Sequence, residues 1–517
     1  MIYKNLVNSF FPAPYPVKST AELEQLFLDF SVEDFFNFLK NVDIGLINEI
    51  SNQRVLELFN LAAHHVPAYK DFLKKNNINS NDIKDINDFS LVPIMDKSNY
   101  LNKYSIEELS WDGKLNGHSM LSVSSGTSGK PYYWPRSIYL EYETAITHEI
   151  FCNMFFDIKN KKTLVIVAYA MGMYVAGTFT LNSFSKLAKK GYKISVVSPG
   201  LDETEVLRIA EDLYQDYDQI ILAGYPPFVK DILDYGIANN ISLDKYNLKF
   251  IFGAENFSEE WRSYVLNLAG HKSLFKIPYY SMNTYGSADC AILGHETPFS
   301  IKYRRFIKSQ NMERIAFNCE HMPTLVQFNP FVKYFELVNQ KLIFSANGGI
   351  PLIRYNINDL GNIVSHKELC NKLKINFIDS DFSSENKFNK FPFLYLYGRA
   401  GNTVTIYGVN IYYENIKMAL ENQQIIHIVS GKFSLKTTVD KGYNQSLEID
   451  IELSTKKDAS NNEKGLISTI IQHTLEQNNL EYKKLKLKIG SKAIPKINFY
   501  LRNHFKQIKS KHKWIEN

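Results

Sequence analysis

The chain has 517 residues, 45% of them hydrophobic and 22% charged, which suits a folded protein of two to four domains and excludes a disordered one. Its formal net charge of +5 is unevenly spread, because from Lys483 onward the basic residues are opposed by a single acid, Glu516. No run approaches 18 uninterrupted apolar residues and the amino terminus lacks a small-residue cleavage site, so neither a membrane span nor a signal peptide is expected and the expected location is cytoplasmic. Apolar residues at three- and four-residue intervals predict helices over residues 21–39 and 45–72. Strand-like and helical runs then alternate: strand 163–168, helix 181–190 closed by Gly191, strand 192–197, helix 203–216 and strand 219–223. Helix 228–238, strand 249–252 and helix 258–270 follow. This βαβα order predicts an α/β fold, with parallel-rich sheets covered by helices and ligand loops at the C-terminal ends of the strands. Gly224-Tyr225-Pro226-Pro227, Gly253-Ala254-Glu255 and Tyr285-Gly286 fall at such ends. Short extended segments over 332–364 predict a small β-rich subdomain, and the polar clusters over 366–391 an insertion or mobile loop. After Gly398 the pattern is strand 403–407, helix 413–422, strands near 425–438 and 446–453, and helix 462–477, a compact α/β unit. The expected division is 1–400 and 401–517.

Residues 122–131, Ser-Val-Ser-Ser-Gly-Thr-Ser-Gly-Lys-Pro, are the densest chemical signal. The hydroxyls of Ser124, Ser125, Thr127 and Ser128, the glycines Gly126 and Gly129 and the cation Lys130 suit a turn that brings backbone N–H groups, side-chain donors and charge to phosphate oxygens. A Walker-type loop does not fit, since Ser124 stands at its first glycine and Pro131 replaces the Mg²⁺-binding hydroxyl. A surface turn without function is the competing reading of this segment alone.

Three later segments follow in order: 284–289 (Thr-Tyr-Gly-Ser-Ala-Asp), 351–361 (Pro-Leu-Ile-Arg-Tyr-Asn-Ile-Asn-Asp-Leu-Gly) and 398–408 (Gly-Arg-Ala-Gly-Asn-Thr-Val-Thr-Ile-Tyr-Gly). Together with the first loop, with 64–70 and 91–97, and with Gly253-Ala254-Glu255, the chain resembles the adenylate-forming superfamily of acyl-CoA synthetases, nonribosomal-peptide adenylation domains and luciferases. The match is nearest to its phenylacetate–CoA ligase branch and runs from about residue 50 to the carboxyl end. The resemblance implies a large N-terminal domain with two parallel-rich, helix-covered sheets and a small β subdomain, followed by a small mobile C-terminal α/β domain. It implies an ATP- and Mg²⁺-dependent ligase that forms an acyl-AMP from a carboxylic acid, releases pyrophosphate and passes the acyl group to CoA. A phosphopantetheinyl carrier protein or an amine is an alternative acceptor, and a catalytically impaired nucleotide-binding relative a further alternative. Neither nucleic acid nor membrane is an expected partner.

Adenylation suits such a site because the carboxylate is already a nucleophile. What remains is to hold it in line and to neutralise charge on the phosphoryl groups. Accordingly the chain has neither a G-x-S-x-G elbow nor an H-E-x-x-H pair, and His64 and His65 read as packing or capping residues. By resemblance, residues 124–130 grip the β- and γ-phosphates, and Gly253, Ala254, Glu255, Thr284, Tyr285, Gly286 and Ser287 surround the adenosine, with Tyr285 stacking on the base. Asp289 stands where the family carries a Mg²⁺-binding glutamate, one methylene shorter. Asp359 takes the ribose hydroxyls, Arg399 approaches the ribose or phosphate, and Arg354 buttresses a strand turn. The hinge position is Gly401, where the family commonly has Asp or Lys. Lys511 in Ser510-Lys511-His512-Lys513 matches the lysine that serves adenylation, with Lys509 as the alternative register. The acyl pocket is expected around Tyr169, Met173, Tyr225 and Phe228, residues that core packing explains as well. Four cysteines lack paired spacing. The set Cys290, His295, Cys319 and His321 is a poor match to zinc-ligand spacing.

Overall fold

In the computed structural model, residues 2–12, 18–115, 118–124, 132–318, 322–372, 390–399, 403–406, 409–439 and 445–505 are described. A hairpin, β1 (His118–Ser124) and β2 (Tyr132–Ser137), precedes an 11-stranded mixed sheet. One half is parallel: β3 (Thr163–Ala168), β4 (Ile194–Val197), β5 (Gln219–Gly224), β6 (Leu248–Gly253) and β7 (Ser281–Ser287) lie in the spatial order β4-β3-β5-β6-β7. The other half is antiparallel and holds β8 (Ala291–His295), β9 (Thr324–Gln327), β10 (Lys333–Val338), β11 (Lys341–Ala346), β12 (Leu352–Val364) and β13 (Phe393–Arg399). It continues from β7 in the order β8-β9-β13-β12-β11-β10, so the β-rich part is hydrogen-bonded to the parallel half.

Alternation along the parallel strands explains why both faces carry helices. Val165, Val167, Ile221 and Ile251 pack with Phe151 of the helix Ile138–Phe156 and Phe184 of the helix Val175–Lys189. Leu164, Ile166, Leu222 and Phe250 face the other way, onto the helices Glu203–Leu213, Pro226–Ala238 and Glu259–Leu268. This is the α/β architecture expected from the βαβα pattern.

Several elements depart from the sequence-based expectation. The helix expected over 21–39 is two, Thr20–Asp29 and Val32–Asn41, because Ser31 caps the second by accepting from the Asp34 N–H at 3.2 Å. The helix expected over 45–72 divides into Ile44–His65 and Pro67–Lys75 at Val66, where proline begins the second. Within the expected loop 366–391 a short helix, His366–Lys372, forms, and residues 373–389 lie outside the described residues.

Behind β7 a buried charge cluster fixes the sheet. Glu296 is fully buried and takes both oxygens to Arg262 (2.7 and 2.8 Å), one to Arg304 (3.0 Å) and one to the Asn283 N–H (2.8 Å). Both guanidinium groups also reach Glu259. Removing one member of such a cluster leaves buried charge uncompensated. Glu296→Ala is therefore expected to lower stability by about 3–5 kcal/mol, read as a fall in the urea midpoint without loss of cooperativity.

The C-terminal residues build their own core from Ile416, Leu420, Phe433, Ile449, Ile467 and Leu475. Its elements are the hairpin β14 (Thr403–Ile406) and β15 (Val409–Tyr412), the helix Tyr413–Leu420, and a three-stranded sheet of β16 (Val429–Val439), β17 (Gln445–Leu453) and β18 (Lys496–Tyr500). The helices Asn461–Asn478 and Leu480–Ile489 complete it.

Candidate functional site

The C-terminal ends of β5, β6 and β7 meet beside the start of the antiparallel half, and among the described residues 253–255, 284–289 and Asp359 lie there. β6 ends in Gly253, beside Thr284 of β7 in register. A Cβ on Gly253 would lie 2.7 Å from Thr284 Oγ1 and 3.0 Å from the Tyr169 hydroxyl, so this close approach requires glycine. Ala254 then turns with φ +71°, a left-handed conformation that a residue with a Cβ adopts at a cost. The turn buries Glu255, whose backbone oxygen accepts from Asn283 Nδ2 at 3.1 Å. One residue beyond Thr284, the Tyr285 hydroxyl donates to Asp359 Oδ2 at 2.6 Å, which joins the end of the parallel half to β12. Asp359 stands opposite Arg399 in the β12–β13 register. Gly286 lies against the Ala291 carbonyl, and Ser287 Oγ accepts from the Cys290 N–H at 3.3 Å. These contacts close the β7–β8 turn that carries buried Asp289. The Asp289 carboxylate adds to burial in raising the Tyr132 phenol above its ordinary value, which places the two groups near one another.

The acyl-pocket expectation divides. Tyr169 is buried at the end of β3 and donates to the Ile251 carbonyl at 3.2 Å. Tyr225 is half-buried, and burial first and then Glu255 hold its phenol well above the ordinary range. Met173 is about half exposed, and its carbonyl accepts from the Val123 N–H of β1 at 3.0 Å. Phe228 does not join them. It is buried in the core on the opposite face of the sheet, with Leu222, Phe252 and Ile232, because Pro226 and Pro227 start a helix whose inward side carries it there. Arg354, at φ +50°, bonds Glu336 at 3.0 Å and the carbonyls of Ser90 and Val92, a bracing role across the sheet edge. His64 bonds the Asn60 carbonyl and His65 bonds Asp112, away from the strand ends.

Ser125, Gly126, Thr127, Ser128, Gly129, Lys130, Gly401, Lys509 and Lys511 lie outside the described residues. Ser124 ends β1 and Arg399 ends β13, described by their backbone alone. Cys319 and His321 also lie outside, and among the described residues no group of three His, Cys, Asp or Glu could hold a metal. Among those residues no helix is long and apolar enough to cross a membrane.

Sequence reasoning missed how the C-terminal unit enters this site. The helix Tyr413–Leu420 carries Lys417, whose ammonium lies 2.5 Å from Glu255 Oε1 and 4.0 Å from Glu421. Glu421 accepts from the Ser258 N–H at 2.7 Å. Farther out, Lys432 pairs with Asp231 at 2.7 Å, and Arg502 with Glu203 at 3.1 Å. Glu414 fills the space that a side chain at Gly398 would need. In sequence, Lys417 and Glu421 look like an ordinary surface pair one helical turn apart.

Burial pushes the Glu421 carboxyl up to about 7 and the Glu414 carboxyl to about 8. Raised values mean that the docked arrangement binds protons that an exposed carboxylate would release. The contribution of these two carboxyls to docking is therefore full below the ordinary value of 4.5 and is lost as pH rises through 7 and 8. Amide exchange in the helix Tyr413–Leu420 is expected to quicken by more than about tenfold beyond the intrinsic rate between pH 6 and 8.5, and Glu421→Gln to remove about tenfold of that change while Glu414 keeps the rest.

No family model matches the sequence, and no curated protein matches it significantly. Among solved structures it is similar to 2-hydroxyisobutyryl-CoA ligase in the postadenylation state with an acyl-AMP, at 14% identity and TM-score 0.64 over 90% of this chain and 89% of that one. The fold is that of the adenylate-forming enzymes. The same ligase with acyl-AMP and CoA in its thioesterification state aligns at TM-score 0.53 and 14% identity, over 92% of this chain and 90% of that one. Its open conformation aligns at TM-score 0.52 and 14% identity, over 90% and 91%.

Proposed function

We propose that the chain is an ATP-dependent, AMP-forming acid–thiol ligase that makes an acyl-adenylate and transfers the acyl group to CoA, acting on an aryl or medium apolar carboxylic acid in the manner of phenylacetate–CoA ligases. The observation that carries the reading is the meeting of Gly253-Ala254-Glu255, Thr284-Tyr285 and Asp359 at the strand ends, tied by the Tyr285–Asp359 hydrogen bond of 2.6 Å. Motifs far apart in sequence, each suited to part of a nucleotide, lie side by side. The fold shared with a ligase crystallised with acyl-AMP and CoA supports it.

In this reading Tyr285 offers its ring to the base and Asp359 its carboxylate to both ribose hydroxyls. Residues 124–130 receive the terminal phosphates, and Arg399 adds charge near the ribose or α-phosphate. A substrate carboxylate oxygen attacks the α-phosphorus while the bond to the β-phosphate breaks and pyrophosphate leaves. The thiol sulfur of CoA then attacks the acyl carbon, the carbon–oxygen bond to AMP breaks, and the thiol proton passes to solvent. Asp289, a buried carboxylate in the β7–β8 turn, would offer an oxygen to Mg²⁺. The metal would supply charge neutralisation on the phosphates. Tyr169, Met173 and Tyr225 would wall the acyl group. Residues 401–517 would act as the mobile lid with its pivot at Gly401, delivering Lys511 for the first half-reaction.

The test is carboxylate-dependent exchange of radiolabelled pyrophosphate into ATP with a panel of aryl and medium-chain acids, followed by addition of CoA. Exchange with one class of acid and thioester formation are expected. Lys511→Ala is expected to lose exchange by about 100-fold while retaining most thioester formation from supplied acyl-adenylate. Absence of exchange with every acid, or equal loss of both half-reactions in Lys511→Ala, would overturn the assignment.

A further inference from the structure

Tyr169 and Met173 stand on the segment that runs from β3 to the helix Val175–Lys189, and that helix begins without a side-chain cap. Its first turn is packed hard onto the same segment. A Cβ on Gly177 would lie 2.6 Å from both the Ala170 carbonyl oxygen and Met171 Sδ, so a shift of the turn displaces residues 169–173 with it. The hairpin grips this unit at two points. At one, the Val123 N–H of β1 donates to the Met173 carbonyl at 3.0 Å. At the other, Arg136 Nη1 of β2 donates to Thr178 Oγ1 at 2.7 Å, and that hydroxyl donates to the Tyr174 carbonyl at 2.9 Å. Arg136 is 2% exposed, with its guanidinium carbon 3.7 Å from the Phe179 ring centre and Glu141 at 3.5 Å. Burying a guanidinium is costly unless its planar fork is used on several sides, as it is here.

We propose that Arg136 is a positioning residue that fixes the acyl wall and thereby sets how sharply the site discriminates between acids of different length. This role presupposes the acyl wall put forward above around Tyr169 and Met173. Arg136 acts through Thr178 on the first helical turn, and through Gly177 on residues 169–173. A wall held in this way rejects an acid one methylene too long or too short by about tenfold or more, whereas a wall that yields admits both. Lysine is a poor replacement. Its ammonium keeps the charge beside Glu141 but offers neither the fork for Thr178 nor the plane for Phe179.

The experiment is pyrophosphate exchange by the full chain with two series one methylene apart: benzoate, phenylacetate and 3-phenylpropanoate, and pentanoate, hexanoate and heptanoate. It is run on the unaltered protein, Arg136→Lys, Thr178→Val and Lys186→Met. In the unaltered protein the kcat/KM ratio between the best acid and its neighbour is expected at about tenfold or more. In Arg136→Lys and Thr178→Val it should fall to within about threefold, with the KM for ATP held within about twofold. Lys186→Met removes the other cation from Glu141 without touching Thr178, and should keep the ratio. In parallel, the amides of residues 170–178 should exchange about tenfold faster in Arg136→Lys and Thr178→Val, and those of residues 183–189 should not. An unaltered protein that takes a whole series alike overturns the role, as does an unchanged ratio in the two folded variants. An equal rise in the KM for ATP, or the same collapse in Lys186→Met, marks a general loss of rigidity and also overturns it. Unchanged amide exchange over 170–178 does so whatever the activity. Absence of pyrophosphate exchange by the unaltered protein with every acid overturns the ligase reading instead, and the amide exchange then decides alone whether Arg136 holds the segment.

Discussion

Asp359→Ala is expected to slow carboxylate-dependent pyrophosphate exchange by about 100-fold, the loss typical of a charged group that orients a reacting phosphate. Asp359 sits where β12 faces β13, half-buried, held by the Tyr285 hydroxyl at 2.6 Å and opposite Arg399 in register. A carboxylate so placed can take two ribose hydroxyls at once, and alanine can take neither. Tyr285→Phe gives the contrast, because it keeps the ring and loses the bond to Asp359. Its cost is one hydrogen bond, about 1 kcal/mol, or roughly fivefold. The ratio between the two variants is the informative quantity. Exchange within about threefold of the unaltered protein for Asp359→Ala would remove the ribose role, whatever the fate of Tyr285→Phe.

Lys417→Met carries the other large expectation. The substitution preserves length and bulk but leaves Glu255 and Glu421, both buried, without the cation that lies between them. Breaking one partner out of a buried ionic group costs about 3–5 kcal/mol. Here the loss falls on the docking of the helix Tyr413–Leu420 over the strand ends. Its amides should lose protection by about 100-fold or more, while the sheet amides around β5 and β6 keep theirs. Adding Glu255→Gln to Lys417→Met removes one of the stranded charges and should recover part of the loss, a coupling that a double-mutant cycle measures. Unchanged protection in Lys417→Met would show that apolar contacts alone hold the unit in place.

Much of the parallel half was legible in the sequence, for reasons the structure makes plain. Thr163–Ala168 is buried along its whole length and bounded by polar residues and a turn, so its composition alone marks a central strand. The helix Ile138–Phe156 went unread because residues on all its sides are buried, from Leu140 and Tyr142 to His148 and Phe155, which erases the polar stripe that periodicity needs. Helix breaks at Ser31 and Val66 follow from cap and proline chemistry that a count of apolar intervals passes over. β18 was hidden differently. It is a short edge strand, parallel to β17, that begins at a lysine and follows a lysine-rich helix, so charge masked its alternation.

At the site, motif residues tied by backbone geometry were readable one by one, as with Gly253, Thr284 and Asp359. What no local pattern could supply was which of them touch. The Tyr285–Asp359 bond spans 74 positions of sequence, and the Lys417–Glu255 pair joins residues of two separate cores. Phe228 shows the converse. Its aromatic character suited a pocket wall, and only the helix phase set by Pro226 and Pro227 decides that it faces inward.

Ile426 belongs by sequence to the C-terminal unit, yet it is buried in the core built by Trp261, Val229 and their neighbours. Any swing that frees the strand ends must draw this wedge into water, at about 1.5–3 kcal/mol for a side chain of its size. The wedge thus adds to the ion pairs that seat the unit, and a polar residue at 426 is expected to loosen that seat with every ion pair intact.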